Sequence, residues 1–448
     1  MVALLLPAGL WAEPRFLLPK HHLEPAELAV IVNDQDPLSV QIADYYRQAR
    51  GIPVENFIHV RLNPENTSIK PDRFAKLLRR VQAETPAGVQ AYALTWASPF
   101  RVGCMSITSA FAFGYDKAHC AKARCSPTAP SPYYGSDVVA PHDGLGIRPT
   151  MAIAATGFAE AKALIDRGIA ADGTHPPGTA YLVSTADKKR NVRQGLFATV
   201  RRWLGDWIGI EIVETVEGIR DRDDVLFYFT GATQVPYLET LTFRPGALAD
   251  HLTSAGGRLV GRNRQMSSLR WLEAGATGSY GAVVEPCNYP QKFPNPGLAM
   301  QHYLMGETLI EAYWKSVLQP GEGIFIGEPL ARPFGGHEVR ESENETVLRT
   351  RVLKPGIYRM IYAPDAVGPY RVLPRTLKVP VGLSELRFRR LADGLYRLQR
   401  VARLPRPGTN GQGAGTDPKA KARGPGAPEA AEPAATGSRP GAASGSRP

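Results

Sequence analysis

The feature that most constrains this chain is an alternation of two periods. Residues 27–34 (ELAVIVND) form an unbroken apolar run ending in polar residues; the following SVQIADYYRQARGIP carries apolar residues at helical spacing and stops at Gly51 and Pro53. The pairing recurs as NFIHVRL, PDRFAKLLRRVQ and AYALTWASP, and again as MAIAAT, GFAEAKALIDRGIAAD and AYLVST. A helix-like KKRNVRQGLFATVRRWLG then precedes IEIVETV and VLFYFTG. Apolar strands alternating with amphipathic helices predict an α/β fold, a mostly parallel sheet with helices on both faces.

Near residue 338 the helical period stops. Short pieces such as TVLRTRVL, GIYRMIYA, LKVPV, LSELRFRRL and GLYRLQRV, punctuated by Pro and Gly, predict a small β-rich module over 338–403 that resembles a sandwich. Residues 404–448 hold Gly, Ala, Pro, Ser, Thr and scattered charge, with nothing large and apolar after Leu404, and read as a disordered tether. At the other end, MVALLLPAGLWAEP closes an apolar stretch on Ala12 like a secretory signal without its basic start, so 1–22 reads as a clipped signal segment. The α/β main domain is then 23–337, and the chain is expected to be exported, to the periplasm or cell surface. No apolar run reaches the roughly eighteen residues of a membrane span.

Charge divides along the same boundaries. The formal net charge is +11, yet residues 340–403 hold 14 basic and 6 acidic residues, residues 404–448 hold 6 and 3, and the rest of the chain balances. A neutral main domain and the absence of any nucleic-acid reading motif exclude a nucleic-acid partner from the reading. The basic segment 340–403 is either a solvated sheet face or a contact for an anionic envelope polymer or lipid headgroups.

In an open parallel sheet, ligands bind beyond the carboxyl ends of the strands. Those positions hold Asn33, Asp34 and Asp36; Thr95, Ser98 and Arg101; Thr156; Ser184, Thr185 and Asp187; Thr230 and Gly231; and Glu285. Asp36 and Ser39 also stand where a helix needs a capping oxygen. Asn33, Asp36, Arg101, Thr230, Gly231, Lys292 and Glu328 are the ligand-binding candidates.

The order NDQDPLS, YYRQARGIP, RVGCMS, FYFTG, GALADHLTSAGG, WLEAGATGSYGAVVEPC, LMGETLIEAYWKSV and IGEPLARPF, over about 27–337, resembles a family of bacterial exported proteins of unknown activity. Some of its members carry a PEP-CTERM sorting tail, which this sequence lacks. A more distant similarity is to gingipain-type peptidases with a caspase-like α/β fold. In those enzymes one strand ends in His-Gly and a later one in the nucleophilic Cys, followed by a Gly-rich strand, a Gly-Glu-Ala helix and a terminal Gly-Asp-Pro. FYFTG, LTSAGG, GSYGAVVEP, GETLIEAYW and GEPL fall in that order, but Thr230 stands before Gly231 where the His would be, and Ser254 stands where the Cys would be. A cysteine peptidase needs a thiolate and an imidazole within reach of each other. The resemblance therefore implies the scaffold without its dyad, and a binding protein in place of an enzyme.

Cys287, in GAVVEPCNYPQKF, is the remaining thiol candidate for a nucleophile, with Glu285 raising its pKa and Lys292 lowering it. His251 and His302 are the imidazoles considered as its base. Cys104, Cys120 and Cys125 offer the competing reading, because four cysteines behind an export-like start favour two disulfides. Three pairings are open, one of which closes Cys120 on Cys125 and leaves Cys104 for Cys287. A zinc site from His119, Cys120 and Cys125 lacks the usual paired spacing, and no metal is expected. No cofactor is expected either: there is no GxxxxGK[ST] and no HExxH, HEVRE lacks its second His, and the glycines of GATGSYG precede a strand. Glu285 and Glu328 suit acid/base work only if their strand ends converge. A hydrolase built from Ser254, Glu285 and Cys287 is the alternative function.

Overall fold

The computed structural model describes residues 14–123, 125–380 and 382–403; the expected tail, 404–448, lies outside the described residues. The first strand, β1 (Pro14–Leu17), belongs to the C-terminal module. Next come β2 (Leu28–Asn33), α1 (Pro37–Arg50), β3 (Phe57–Val60), β4 (Ser68–Ile69), α2 (Pro71–Glu84) and β5 (Ala91–Leu94). With β4, the short β6 (Arg101–Val102) and β7 (Met105–Ser106) make a small side sheet, after which α3 (Ile107–Phe113) and α4 (Pro141–Leu145) lead to β8 (Thr150–Ala152). Then follow α5 (Phe158–Ala171), β9 (Thr179–Thr185), α6 (Gln194–Leu204), β10 (Gly209–Thr215), β11 (Arg222–Gly231) and β12 (Leu241–Leu252). The body closes with α7 (Leu269–Glu273), β13 (Gly278–Ala282), α8 (Pro296–Leu304), α9 (Leu309–Trp314) and β14 (Gly323–Gly327).

Ten strands form one sheet in the order β10-β9-β11-β12-β13-β14-β8-β5-β2-β3. Every residue of β2, β5 and β14 is buried, which is why these segments read as unbroken apolar runs. From β10 to β13, and again from β8 to β3, neighbours pair in parallel. The exception is β14, which pairs antiparallel with β13 from Gly278–Gly327 to Ala282–Gly323.

β14 meets β8 at one residue pair, Ile326 with Ala152, a bridge of parallel type too short to set the strands' relative direction, which the helix that follows β8 fixes instead. From α5, Arg167 donates to the carbonyls of Leu272 and Ala276, just before β13, at 2.7 Å each. A Cβ on Gly168 would stand 2.7 Å from Glu328 Oε2, just after β14. The end of α5 thus lies where β13 begins and β14 ends. Because α5 runs back along β8, that strand must point the same way as β13. The expectation of a mostly parallel sheet therefore needs one correction: β14 runs against the other nine strands.

The module contains β15 (His337–Glu341), β16 (Glu345–Thr350), β17 (Gly356–Ala363), β18 (Arg371–Val379), β19 (Ser384–Arg389) and β20 (Gly394–Arg403). Two sheets, β1-β20-β17-β18 and β15-β16-β19, share a core of Tyr358, Met360, Leu377, Leu386, Phe388 and Leu398. Burial alternates along β17 and β19, so one face of each points inward. Pro14–Leu17, expected within the signal-like stretch, pairs in parallel with β20 and sets the Phe16 ring 5.6 Å from Tyr396 and 5.8 Å from Phe388. Residues 1–13 of that stretch lie outside the described residues. The module also touches the α/β body: Arg351 donates to the Trp207 carbonyl at 3.2 Å and Lys354 to the Asp137 carbonyl at 2.8 Å.

Candidate functional site

The strand ends of β9, β11 and β12 carry the positions where the resemblance would place a dyad. In register, Thr230 of β11 lies between Val183 of β9 and His251 of β12. Its hydroxyl is buried and donates to the Val183 carbonyl at 3.0 Å. Beside it, a Cβ on Gly231 would fall 2.0 Å from the carbonyl oxygen of Arg190. Only glycine lets the 187–193 turn lie this close across the strand end.

That turn fills the edge with polar groups that bond to one another, although Asn191 Oδ1, Arg193 Nε and Asp250 Oδ2 are buried there without a hydrogen-bond partner. Asp187 accepts from Arg190 Nη1 at 2.9 Å, and Arg190 Nε donates to Thr253 Oγ1 at 3.1 Å. Thr253 donates in turn to Gln265 Oε1 at 2.8 Å, which also accepts from Ala255 N at 2.7 Å. Asn191 Nδ2 donates to Ser184 Oγ and to the Thr185 carbonyl at 2.8 and 2.9 Å. Below the turn, buried Arg193 donates to the Thr230 carbonyl at 2.6 Å and to Asp250 Oδ1 at 2.5 Å. Sequence reasoning missed Arg190 and Arg193 because KKRNVRQG was read as the first turns of a helix, whereas α6 begins only at Gln194, and it missed their neighbours Asp250 and Gln265 because only the folded turn brings them together.

Ser254 follows β12 in a half-buried turn, and no hydrogen bond joins its hydroxyl to an imidazole among the described residues. The nearest His in sequence, His251, is buried and bonded to other groups. Trp271 Nε1 donates to its Nδ1 at 2.9 Å, so Nε2 carries the proton and donates to the Met266 carbonyl at 3.0 Å. Burial pushes its pKa down to about 4. This is a neutral core histidine with both ring nitrogens engaged. The other imidazole considered, His302, is buried on α8 against Glu307 at 3.0 Å.

All four cysteines are oxidised, as Cys104–Cys120 and Cys125–Cys287, with Cα atoms 5.8 and 5.3 Å apart. The pairing that closes Cys120 on Cys125 is thereby corrected. The turn between β6 and β7 holds Cys104 beside Cys120, and the loop runs on to bring Cys125 to the Glu285–Cys287 turn. Neither Cys120 nor Cys125 is left as a thiolate for zinc, and Cys287 has no free sulfur for nucleophilic attack. Glu285 is exposed and accepts from Cys287 N at 2.8 Å, a turn-stabilising role. Lys292 is buried and donates to Glu322 at 2.7 Å, so its charge is matched away from Cys287.

The remaining candidates scatter. Asn33 is buried and clasps Leu62, accepting from its N–H and donating to its carbonyl at 2.9 Å each. Asp36 caps α1 through Leu38 N at 3.0 Å, and Arg101 opens the side-sheet hairpin. Both flank β2 and β5, with β2 six strands from β11 in the sheet order, roughly 30 Å at the usual strand spacing. Glu328 lies at the opposite edge, because β14 is reversed. It is buried there under Arg50 and the Tyr46 hydroxyl, which donates at 2.5 Å. Glu285 and Glu328 do not converge, so they form no acid/base pair. What the edge does offer is a cleft of about 450 Å³ lined by Thr185, Asp187, Glu217, Thr230, Gln234 and Tyr237.

No family model and no curated protein matches the chain. Among solved structures it is similar to the Arg-specific cysteine proteinase gingipain R, at 10% identity over 86% of this chain and 100% of that one, with a TM-score of 0.41. The complex of Porphyromonas gingivalis RgpB pro- and mature domains matches at 10% identity over 84% of this chain and 100% of that one, TM-score 0.40. A third structure, titled as that of a protease, matches at 9% over 85% and 98%, TM-score 0.41.

Proposed function

We propose that this chain is an exported binding protein on a caspase-like α/β scaffold, without peptidase chemistry of its own, and that its basic β module contacts anionic envelope material. One observation carries the reading: Thr230 stands where the base would, its hydroxyl donating to the Val183 carbonyl, Ser254 stands where the nucleophile would with no imidazole bonded to it among the described residues, and the nearest histidine in sequence, His251, is bonded on both nitrogens to Trp271 and Met266. A serine hydroxyl without a base is a poor nucleophile near neutral pH. The cleft at the ends of β9 and β11 falls within the size range of small-ligand sites, and its polar lining suits recognition. Two disulfides suit an oxidising compartment, and among the described residues no helix is long and apolar enough to cross a membrane.

Incubation with a diverse peptide library, read by mass spectrometry, tests the proposal. No cleavage above a heat-denatured control is expected. Cleavage abolished by Ser254→Ala, in a variant with unchanged unfolding, would replace the binding protein with the hydrolase.

A further inference from the structure

The two sheets of the β module carry charge differently. In β15, β16 and β19 four acidic and four basic residues are interspersed, and they pair: Arg340 with Glu338 at 2.7 Å, and Arg387 with Glu345 at 3.0 Å. The strands β1, β17, β18 and β20 contain no acidic residue. Arg359, Lys378 and Arg397 make no ion pair among the described residues; Arg359 donates to Gln399, and Arg397 lies over the Tyr370 ring at 5.5 Å.

Register places these three on the face turned away from the sandwich core. Tyr358 and Met360 of β17 point inward, so Ile357, Arg359 and Ile361 point outward. Cross-strand pairing then sets Lys378 beside Ile357, and Val372, Arg397 and Leu17 in one row with Ile361. Aliphatic and basic side chains thus share the same cross-strand rows. Apolar groups are exposed there too: Leu17 is 40% exposed and Val372 58%, and Val367, in the loop that joins β17 to β18, is 92% exposed.

We infer that this outer face docks on an anionic lipid bilayer surface, basic side chains at the headgroups and Val367, Val372 and Leu17 in the boundary beneath them. A soluble polyanion would engage the arginines and leave the aliphatic groups in water, whereas a bilayer interface accepts both. Edge-to-edge pairing with a second copy is disfavoured, because the edge strand β18 carries Pro374 at its centre with Arg375 beside it. The inference sharpens the partner half of the proposed function and is independent of the strand-end cleft, so its failure would leave the absence of peptidase chemistry untouched.

Co-sedimentation of the full chain tests it, with vesicles of phosphatidylcholine alone or with about 30 mol % phosphatidylglycerol. Partition should be at least about tenfold stronger on the anionic vesicles and fall at least about tenfold between roughly 0.1 and 0.5 M salt. Arg359→Glu with Arg397→Glu should abolish that preference at unchanged melting temperature. Val367→Ser with Val372→Ser, two exposed positions that the fold does not need, should weaken vesicle binding several-fold and leave dextran sulfate binding unchanged. Equal partition on both vesicle types, no partition, or vesicle binding indifferent to the valine changes would overturn the docking surface. Self-association on sedimentation that Arg397→Glu abolishes, without vesicle binding, would make the occupant a second copy.

Discussion

Charged groups at the ends of β9, β11 and β12 pair with one another, whereas Arg359, Lys378 and Arg397 on the outer face of β17, β18 and β20 make no ion pair among the described residues. At the strand ends, Arg193 meets Asp250, Arg190 meets Asp187 and Thr253, and His251 meets Trp271 and Met266. On the module, Lys378 and Arg397 have no carboxylate partner among the described residues. The strand ends marked by motif order thus carry a buried ion pair, and a face that reads as ordinary solvated sheet carries cations with no ion pair among the described residues. The difference separates charged groups matched within the chain from charged groups with no ion-pair partner among the described residues.

The contrast is broken most severely at Arg193. Replacement by Met leaves the Asp250 carboxylate buried without its cation, and unfolding free energy should drop by about 3–5 kcal/mol in urea titrations. A drop near zero would mean that the pair is not buried as described.

Acid should expose the same region next. Folded His251 protonates only near pH 4, against an ordinary value of 6.5, so between those limits the unfolded chain binds a proton the folded chain excludes. Stability is therefore full above pH 6.5 and declines toward pH 4, by roughly 3 kcal/mol from this group. His21 and His22, lowered by burial to about 4 and about 3, act in the same direction. Glu307 adds its own loss from 4.5 toward about 2: burial pushes it up, but Lys315 and His302 draw it down further. Comparing urea midpoints at neutral pH and near pH 5, His251→Gln should show a flatter pH dependence than the parent chain; an unchanged slope would remove His251 from the account.

A smaller effect is expected at Gly231, where an added methyl meets the Arg190 carbonyl. Gly231→Ala should cost about 1–3 kcal/mol by displacing the 187–193 turn. On the module, Arg359→Glu should leave stability within about 0.5 kcal/mol. A large loss there would show that the outer face holds the fold after all and erase the distinction between the two regions.

Much of the fold was legible because burial on both faces leaves a direct mark: β2, β5 and β11 read as apolar runs, and α1, α2 and α5 as periodic ones. The reversal of β14 was not, since GIFIG is the same apolar string in either direction and only its contacts fix its sense. The partnership of β1 with β20 escaped for a related reason: PRFL is four residues whose meaning depends on Phe388 and Tyr396, nearly four hundred positions away. At the strand ends, the sequence marked Thr230, Gly231 and Ser254 as departures from a dyad. It could not mark Arg190 or Arg193, whose roles come from a turn folded back across the edge, nor the cysteine pairing, which rests on loop paths that spacing does not determine.

The central claim, that the strand ends hold structure and perform no nucleophilic chemistry, is tested most directly by intact-mass spectrometry of non-reduced protein treated with a serine-directed fluorophosphonate and with iodoacetamide. The account predicts an unmodified mass with both reagents, because among the described residues no imidazole bonds the Ser254 hydroxyl and every cysteine is in a disulfide. A stoichiometric adduct on Ser254 or on Cys287 would contradict it.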